Sequence, residues 1–146
     1  MRGDFVEENL SVELYNVLAE LMNRKIIRTV LDSIRGEYGV LRYLEYIQDN
    51  VSAGVLTEQL HVVPGRMTDI LKSLEAKGLI KRCRSEEDKR KVKVCITEEG
   101  RNETKKKRQY ISEEYQGLFG ILGKEDTEEL IRLLKIVLSY PGDISE

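Results

Sequence analysis

The sequence has few of the residues from which metal sites and hydrolytic active sites are built. Its 146 residues include one histidine and two cysteines. Cys83 and Cys95 do not lie at zinc-ligand spacing from each other or from His61. The G-x-S-x-G sequence that surrounds the nucleophile of many hydrolases is also missing. We therefore expect a protein that is not an enzyme, with no catalytic residues, no metal and no cofactor.

Long apolar stretches and a secretory leader are also missing. The uncharged apolar run 136–140 is far shorter than the roughly 18 residues that a membrane-spanning helix needs. Residues 1–9 carry three acidic side chains where a signal peptide would have a basic start and an apolar centre. The length suits one compact domain. We expect a cytoplasmic protein with no membrane partner, folded as a single domain over residues 1–146.

Basic residues outnumber acidic residues in the middle of the chain. The formal net charge is −2, but residues 61–108 carry +7, residues 1–60 carry −4 and residues 109–146 carry −5. A basic stretch between acidic flanks is the pattern expected of a surface that binds phosphates. Unevenly distributed solvated charge is the alternative interpretation.

Apolar residues that recur every three or four positions predict most of the helices. Ser52 suits the N-cap of a short helix, and Pro64 suits the first position of the next one, where its missing N–H costs nothing. Gly78 can take the left-handed conformation that ends a helix. The pattern predicts helices at about 8–32, 35–48, 53–60, 64–77 and 124–139.

The remaining segment has the pattern of a hairpin followed by a helix. Residues 79–84 and 92–96 are compatible with strands, and a polar, charge-dense segment separates them. Thr97 followed by two glutamates indicates a capped helix start, and apolar residues from 111 to 122 repeat at 4-3-4 spacing, which suits a seam between helices. The order of elements predicts a winged helix-turn-helix.

In such a fold the helix 64–77 would enter the major groove. Arg66 has the reach to pair bidentately with guanine, whereas Lys72 and Ser73 suit phosphates. An ordinary solvated helix face is the alternative for all these positions. The candidate DNA-binding residues before the hairpin are Ser52, Pro64, Gly65, Arg66, Thr68, Asp69, Lys72 and Ser73.

Four segments of the chain resemble the signature of the MarR family in order and spacing. They are LHVVPGRMT at 60–68, LEAKGLIKR at 74–82, DKR at 88–90 and TEEG at 97–100. The resemblance implies a mainly α fold with a small β-hairpin wing (α+β). It also implies a winged helix-turn-helix lobe at about 35–97 and dimerisation helices at about 1–32 and 98–146.

The resemblance assigns roles to the hairpin. In the family, a wing Asp-x-Arg places the arginine in the minor groove with the aspartate orienting it, and by position these roles fall on Asp88 and Arg90. A narrow minor groove concentrates negative potential and attracts such an arginine. Lys89 and Lys91 then serve either as phosphate contacts or for solubility.

The chain departs from its relatives at two places. Val63 stands where relatives often carry an aspartate or serine cap, which leaves the DNA contacts near this turn less defined. Peroxide-responsive relatives use a cysteine near the N-terminal helix, whereas the first cysteine here is Cys83, so a thiol switch of that type is not expected. We interpret Cys83 and Cys95 as free thiols on the hairpin strands, and the sequence does not decide whether they have a redox role.

The resemblance further implies a homodimer that reads a pseudo-palindromic operator in double-stranded DNA, with a small-molecule effector between the dimer helices and the lobes. The sequence does not identify the operator, the effector or the direction of regulation. A winged-helix module that binds an acidic protein is the alternative function. The candidate interface residues are Leu10, Leu14, Ile111, Tyr115, Leu118, Leu122 and Leu134. The candidate pocket residues are Tyr15, Tyr38, Tyr43 and Tyr110, although tyrosines on helices often serve as core fillers.

Overall fold

A computed structural model describes residues 8–84, 86–88 and 90–141 of the chain. The fold is mainly helical with one antiparallel two-stranded hairpin, which confirms the expected fold class. The elements are α1 (Glu8–Met22), α2 (Lys25–Ile34), α3 (Glu37–Tyr46), α4 (Ala53–Leu60), α5 (Pro64–Ala76), β1 (Ile80–Arg84), β2 (Val92–Ile96), α6 (Glu98–Phe119), a 3-10 helix (Gly120–Leu122) and α7 (Gly123–Leu138).

The prediction of one long helix over residues 8–32 is wrong. Arg24 adopts an extended conformation, with φ −62° and ψ 132°, and separates α1 from α2. The two helices also bury different amounts of surface, since α2 buries Ile27 and Val30 whereas none of residues 8–22 is buried. The apolar spacing continues across the break, so periodicity alone did not reveal that the chain changes direction.

The chain forms two compact units, residues 1–108 and residues 109–146. Helix α6 begins in the first unit and ends in the second. The hydrophobic core of the first unit is built from α3, α4, α5 and the hairpin. The side chains of α5 that face this core are Met67, Ile70, Leu71 and Leu74. Because one face of α5 is buried in this way, its opposite face is turned to solvent.

The hairpin is attached to the segment before α4 as well as to the core. Val51 and Val94 exchange backbone hydrogen bonds of 3.2 and 2.7 Å. The Asp49 carboxylate accepts a 3.0 Å bond from the backbone N–H of Ile96. The base of the hairpin therefore has a fixed position relative to the helix-turn-helix.

Thr97 connects the end of α5 to the start of α6. Its hydroxyl donates to the Gly78 carbonyl at 2.6 Å and accepts from the Gly100 amide at 3.1 Å, while its own amide donates to the Leu79 carbonyl at 3.1 Å. A Cβ on Gly100 would lie 2.2 Å from that same Leu79 oxygen. Gly78 has φ +73°, which confirms the predicted left-handed end of α5. These contacts join the segment at 78–79 to the segment at 97–100.

The second unit contains the end of α6, the 3-10 helix and α7. The rings of Tyr115 and Phe119 lie 5.3 Å apart between centroids. Leu122 lies on the 3-10 helix, so it does not continue the helical 4-3-4 repeat of Ile111, Tyr115 and Leu118 as the sequence suggested. In the part of the chain that the structure describes, no helix is long and apolar enough to cross a membrane.

Candidate nucleic-acid interface

The N-terminus of α5 is open to solvent. Val63 occupies the N-cap position with φ −65° and ψ 147°, and its apolar side chain cannot accept a hydrogen bond from the first turn. Pro64 follows at the first helical position, as predicted. The first backbone N–H groups of a helix have no intrahelical acceptor and attract anions. The departure at Val63 therefore leaves these donors available to an incoming phosphate.

The outward face of α5 carries the candidate base-contacting residues. Gly65, Arg66, Thr68, Asp69 and Lys72 are all exposed. A Cβ on Gly65 would meet nothing within 4 Å, so internal packing does not require a glycine there. The Thr68 hydroxyl donates to the Pro64 carbonyl at 3.0 Å and still has lone pairs to accept another bond.

Ser73 is half-buried and bonded to another helix, unlike the exposed candidate residues of α5. Its hydroxyl donates to the Glu37 carboxylate on α3, and the Lys77 ammonium lies 2.8 Å from the other oxygen of the same carboxylate. Partial burial acts to raise the pKa of Glu37, but the hydrogen bonds from Lys77 and Ser73 prevail and hold that pKa below its ordinary value. Ser73 and Lys77 thus hold α5 against α3. Sequence analysis missed Glu37, because no local pattern connects positions that lie 36 residues apart.

Ser52 occupies the cap position that was predicted for it. Its side-chain oxygen accepts a 3.2 Å hydrogen bond from the Val55 amide at the start of α4. His61, at the other end of α4, has φ 52° and ψ 45°, which is the left-handed conformation of a turn residue. His61 therefore belongs to the turn that leads into α5, while Ser52 fixes the start of α4, and a direct DNA contact of Ser52 stays a prediction.

The turn of the hairpin is organised by Asp88. Its carboxylate accepts a 3.0 Å hydrogen bond from the Arg90 amide, and its carbonyl accepts a 3.0 Å bond from the Lys91 amide. Arg90 and Lys91 are exposed. The aspartate thus fixes the backbone that carries the arginine and leaves the guanidinium in solvent. Lys89 lies outside the described residues.

Ion pairs neutralise only part of the basic stretch. Lys77 pairs with Glu37 at 2.8 Å, and Arg82 pairs with Glu75 at 3.0 Å. The exposed basic residues of α5 and the hairpin that form no ion pair within the described residues are Arg66, Lys72, Lys81, Arg84, Arg90 and Lys91. A surface with this excess of unpaired cations has the electrostatics of a phosphate-binding surface.

The four candidate pocket tyrosines lie in different environments. Tyr43 is 6% exposed and belongs to the hydrophobic core, because its side of α3 packs inward. Tyr15 on α1 and Tyr110 on α6 are 71% and 44% exposed. Tyr38 lines two clefts in the described residues, one of about 420 Å³ that it shares with Glu37 and Lys77 and a smaller one that it shares with Tyr46.

The smaller of these, called the Tyr38 cleft, has a volume of about 250 Å³ and is completed by Arg42, Tyr46 and Arg108. The Arg108 guanidinium lies 5.4 Å from the centre of the Tyr46 ring. Burial raises the pKa of the Tyr38 hydroxyl, although Arg42 and Arg108 act in the opposite direction. Arg42, Tyr46 and Arg108 were not identified as pocket residues from the sequence. Tyr38, Arg42 and Tyr46 do recur at four-residue steps, however, which places them on one face of α3.

The described residues contain no group of three or more histidine, cysteine or carboxylate side chains able to hold a metal ion.

Residues 31–91, from the end of α2 through the turn of the hairpin, match the model of the MarR family. A Bacillus subtilis (strain 168) protein named as an organic hydroperoxide resistance transcriptional regulator is 33% identical over 99 residues. Over this region the chain is similar to the MarR family.

Solved structures give the same similarity. The solved structure of the multiple antibiotic resistance repressor MarR has a TM-score of 0.69 and 25% identity, covering 84% of this chain and 94% of that one. FabT of Streptococcus pneumoniae, solved in complex with DNA, has a TM-score of 0.66 at 22% identity, covering 89% and 94% of the two chains, and shows the shared fold.

The alignment with the Bacillus relative covers 65% of each protein, so this chain spans slightly less than two thirds of the length of that relative. These relatives are named as regulators or repressors, which agrees with the expectation that the chain is not an enzyme.

Proposed function

We propose that this chain is a sequence-specific transcriptional regulator that binds double-stranded DNA as a homodimer at a pseudo-palindromic operator. The observation that carries this proposal is the exposed N-terminal half of α5, which lies on the same lobe as a hairpin turn that presents Arg90. A helix N-terminus with exposed polar side chains suits the major groove, and an arginine on an adjoining wing suits the minor groove.

The side chains of the lobe divide into two roles in this proposal. Arg66 lies in the first turn of α5 and reads a base edge, whereas Lys72, further along the helix, and Lys91 on the wing contact phosphates. Asp88 positions Arg90 through the backbone bond at 3.0 Å. Ser73 and Lys77 keep α5 against α3 through Glu37, so their contribution to DNA binding is indirect.

The exposed apolar surface of the helices outside the lobe supports the homodimer. Leu10 and Leu14 on α1 are 54% and 58% exposed, and Leu134 on α7 is 50% exposed. Soluble monomers rarely leave contiguous apolar surface of this kind uncovered. Within residues 109–146, an apolar groove runs between α6 and α7 past Tyr115 and Leu134. The proposed interface consists of Leu10, Leu14, Ile111, Tyr115, Leu118, Leu122 and Leu134.

The experiment begins with selection and sequencing of genomic fragments that the purified protein binds, which supplies the operator. Arg90→Ala should then weaken operator binding by about 1–3 kcal/mol, the range expected for one well-placed arginine contact. Lys124→Ala on α7 is the charge-matched control and should bind as the wild type does. Arg66→Ala should relax sequence preference, while Lys91→Ala should mainly flatten the salt dependence.

Other outcomes would contradict the assignment in different ways. Unchanged affinity of Arg90→Ala at several salt concentrations would remove the wing arginine from the interface. Equal losses for Arg66→Ala and Lys91→Ala on every sequence would contradict the division into base and phosphate contacts. A protein that shows no preference for any duplex but binds an acidic protein would favour the interaction-module alternative.

We also propose that the regulator is a repressor that responds to a small molecule bound at the Tyr38 cleft. Two arginines and two tyrosines around this volume suit an anionic aromatic ligand. Such a ligand releases DNA only if it prefers a dimer whose α5 helices are wrongly spaced. Aromatic carboxylates should therefore lower operator affinity of the wild type but not of Arg42→Ala, and an equal effect on both proteins would exclude this cleft.

A further inference from the structure

The hairpin brings the two cysteines of the chain to the same face. Cys83 pairs with Lys93 and Cys95 pairs with Lys81, so the cysteines flank the directly opposed pair Arg82 and Val94. Side chains alternate between the two faces of a strand, and Val94 is buried in the core at 1% exposure. Cys83 and Cys95 therefore lie on the face turned away from the core, where both are partly exposed.

The two thiols occupy diagonal positions on this face, and both line one surface groove. Arg84, Lys93, Glu86 and Glu87 line the same groove. Cys95 donates a hydrogen bond to the side-chain oxygen of Asn50 at 3.3 Å. A small oxidant can reach the sulfurs through this groove, and no further cysteine exists in the chain to compete for either one.

We propose that Cys83 and Cys95 form an oxidisable dithiol that a hydroperoxide converts into a disulfide across the hairpin. The Cys83 sulfur, as a thiolate, attacks the terminal oxygen of the hydroperoxide, the O–O bond breaks, and the alcohol leaves with the proton that Cys83 released. The Cys95 sulfur then attacks the resulting sulfenic acid, the S–O bond breaks, and water leaves with the Cys95 proton. The two sulfurs are oxidised, the peroxide is reduced, and the products are a disulfide, an alcohol and water.

The surroundings of the two thiols set the order of these steps. Cys95 donates its proton to Asn50, which favours the thiol form. Burial, contact with Cys83 and the nearby Asp49 carboxylate raise the pKa of the Cys95 thiol to about 11. Cys83 is therefore the sulfur that meets the oxidant, and Cys95 is the one that resolves the sulfenic acid.

The disulfide would change the geometry of the wing. A disulfide requires Cβ atoms about 3.5–4.5 Å apart, whereas Cα atoms at diagonal positions of neighbouring strands are ordinarily about 7–8 Å apart and their Cβ atoms somewhat less. Closing the bond pulls β1 and β2 into a stronger local twist. The turn that carries Asp88 and Arg90 continues from these strands, so its direction changes with the twist. This regulatory consequence rests on the proposed DNA-binding function, but the oxidation itself does not.

The first experiment measures the oxidation without DNA. The full chain is reduced, separated from the reductant and treated with cumene hydroperoxide. It is then denatured and alkylated with N-ethylmaleimide, and its mass is measured by mass spectrometry. The expected product has lost two hydrogen atoms and takes up no maleimide, and dithiothreitol restores two sites of alkylation. In Cys95→Ser, dimedone should trap a sulfenic acid at Cys83, whereas Cys83→Ser should react much more slowly. Two free thiols after a several-fold excess of peroxide, or a disulfide only between two chains, would overturn the proposal.

The second experiment measures operator binding before and after oxidation. Oxidised wild type should bind about tenfold more weakly than reduced wild type, the size of effect expected when one arginine contact is misplaced. The Cys83→Ser/Cys95→Ser double variant should bind equally well with and without peroxide. If the disulfide forms and affinity does not change, the dithiol is not a switch. If the reduced protein binds no duplex at all, the proposed function fails while the mass measurement still decides the chemistry.

Discussion

Replacement of Thr97 by valine tests whether one side chain ties the end of α5 to the start of α6. Valine keeps the branched shape of threonine and removes only the hydroxyl, which donates to Gly78 at 2.6 Å and accepts from Gly100 at 3.1 Å. The accepted bond is a helix N-cap, whose loss costs about 1 kcal/mol. The donated bond contributes about 1 kcal/mol net. Because Thr97 is partly exposed, water replaces part of both bonds, and we expect a loss of about 1–2 kcal/mol.

The measurement is urea unfolding of the wild type, Thr97→Val and Thr97→Ser at one fixed protein concentration, since association shifts apparent stability. A loss of this size lowers the urea midpoint by about 0.5–1 M for a slope near 2 kcal/mol per molar urea. Thr97→Ser keeps the hydroxyl and should stay close to the wild type. Equal midpoints for Thr97→Val and the wild type, or an equally large loss in Thr97→Ser, would refute the assignment of the stability to the two hydrogen bonds.

Gly100, Leu118 and Glu37 each provide a further test. Gly100→Ala should lower the free energy of unfolding by at least about 1–3 kcal/mol, as measured by thermal unfolding. The reason is that the alanine Cβ would lie 2.2 Å from the Leu79 carbonyl oxygen, so the backbone must move. Leu118→Glu should split or unfold the proposed dimer in sedimentation, because an unpaired carboxylate would enter the apolar seam. The pKa of Glu37 is lowered in the fold, so its contribution to stability is present above the ordinary value of 4.5 and is lost as the pH falls through the folded pKa. Glu37→Gln should remove this part of the acid dependence in unfolding titrations, and an unchanged profile would contradict it.

Local signals in the sequence predicted the helix-turn-helix and the hairpin well. Pro64 and Gly78 mark the two ends of α5, and the structure has them at the first helical position and at φ +73°. The Ser52 and Thr97 caps were also predicted, because a hydroxyl at an N-cap bonds to an amide three residues away in the same chain segment. Features that depend on a few neighbouring residues can therefore be predicted from the sequence.

Contacts between distant segments were not predictable in the same way. The bonds from Ser73 and Lys77 to Glu37 connect α5 with α3, and nothing near any of the three residues indicates a partner. The same limit explains why Tyr43 was placed with the pocket candidates, since helical periodicity does not say which neighbour covers a face. The break at Arg24 was missed because the apolar repeat survives a change in helix direction.

The absence of buried side chains in α1 links the folding of this helix to the amount of protein present. Helix α1 has 15 residues and none of residues 8–22 is buried. An isolated helix of about 12–15 residues is only marginally stable in water, and most helical stability comes from packing against another surface. If a second copy covers α1, its helical content depends on the association equilibrium. Dilution should then melt α1 before the lobe formed by α3, α4, α5 and the hairpin unfolds, so the concentration of the protein would set what fraction of it has a folded N-terminal helix.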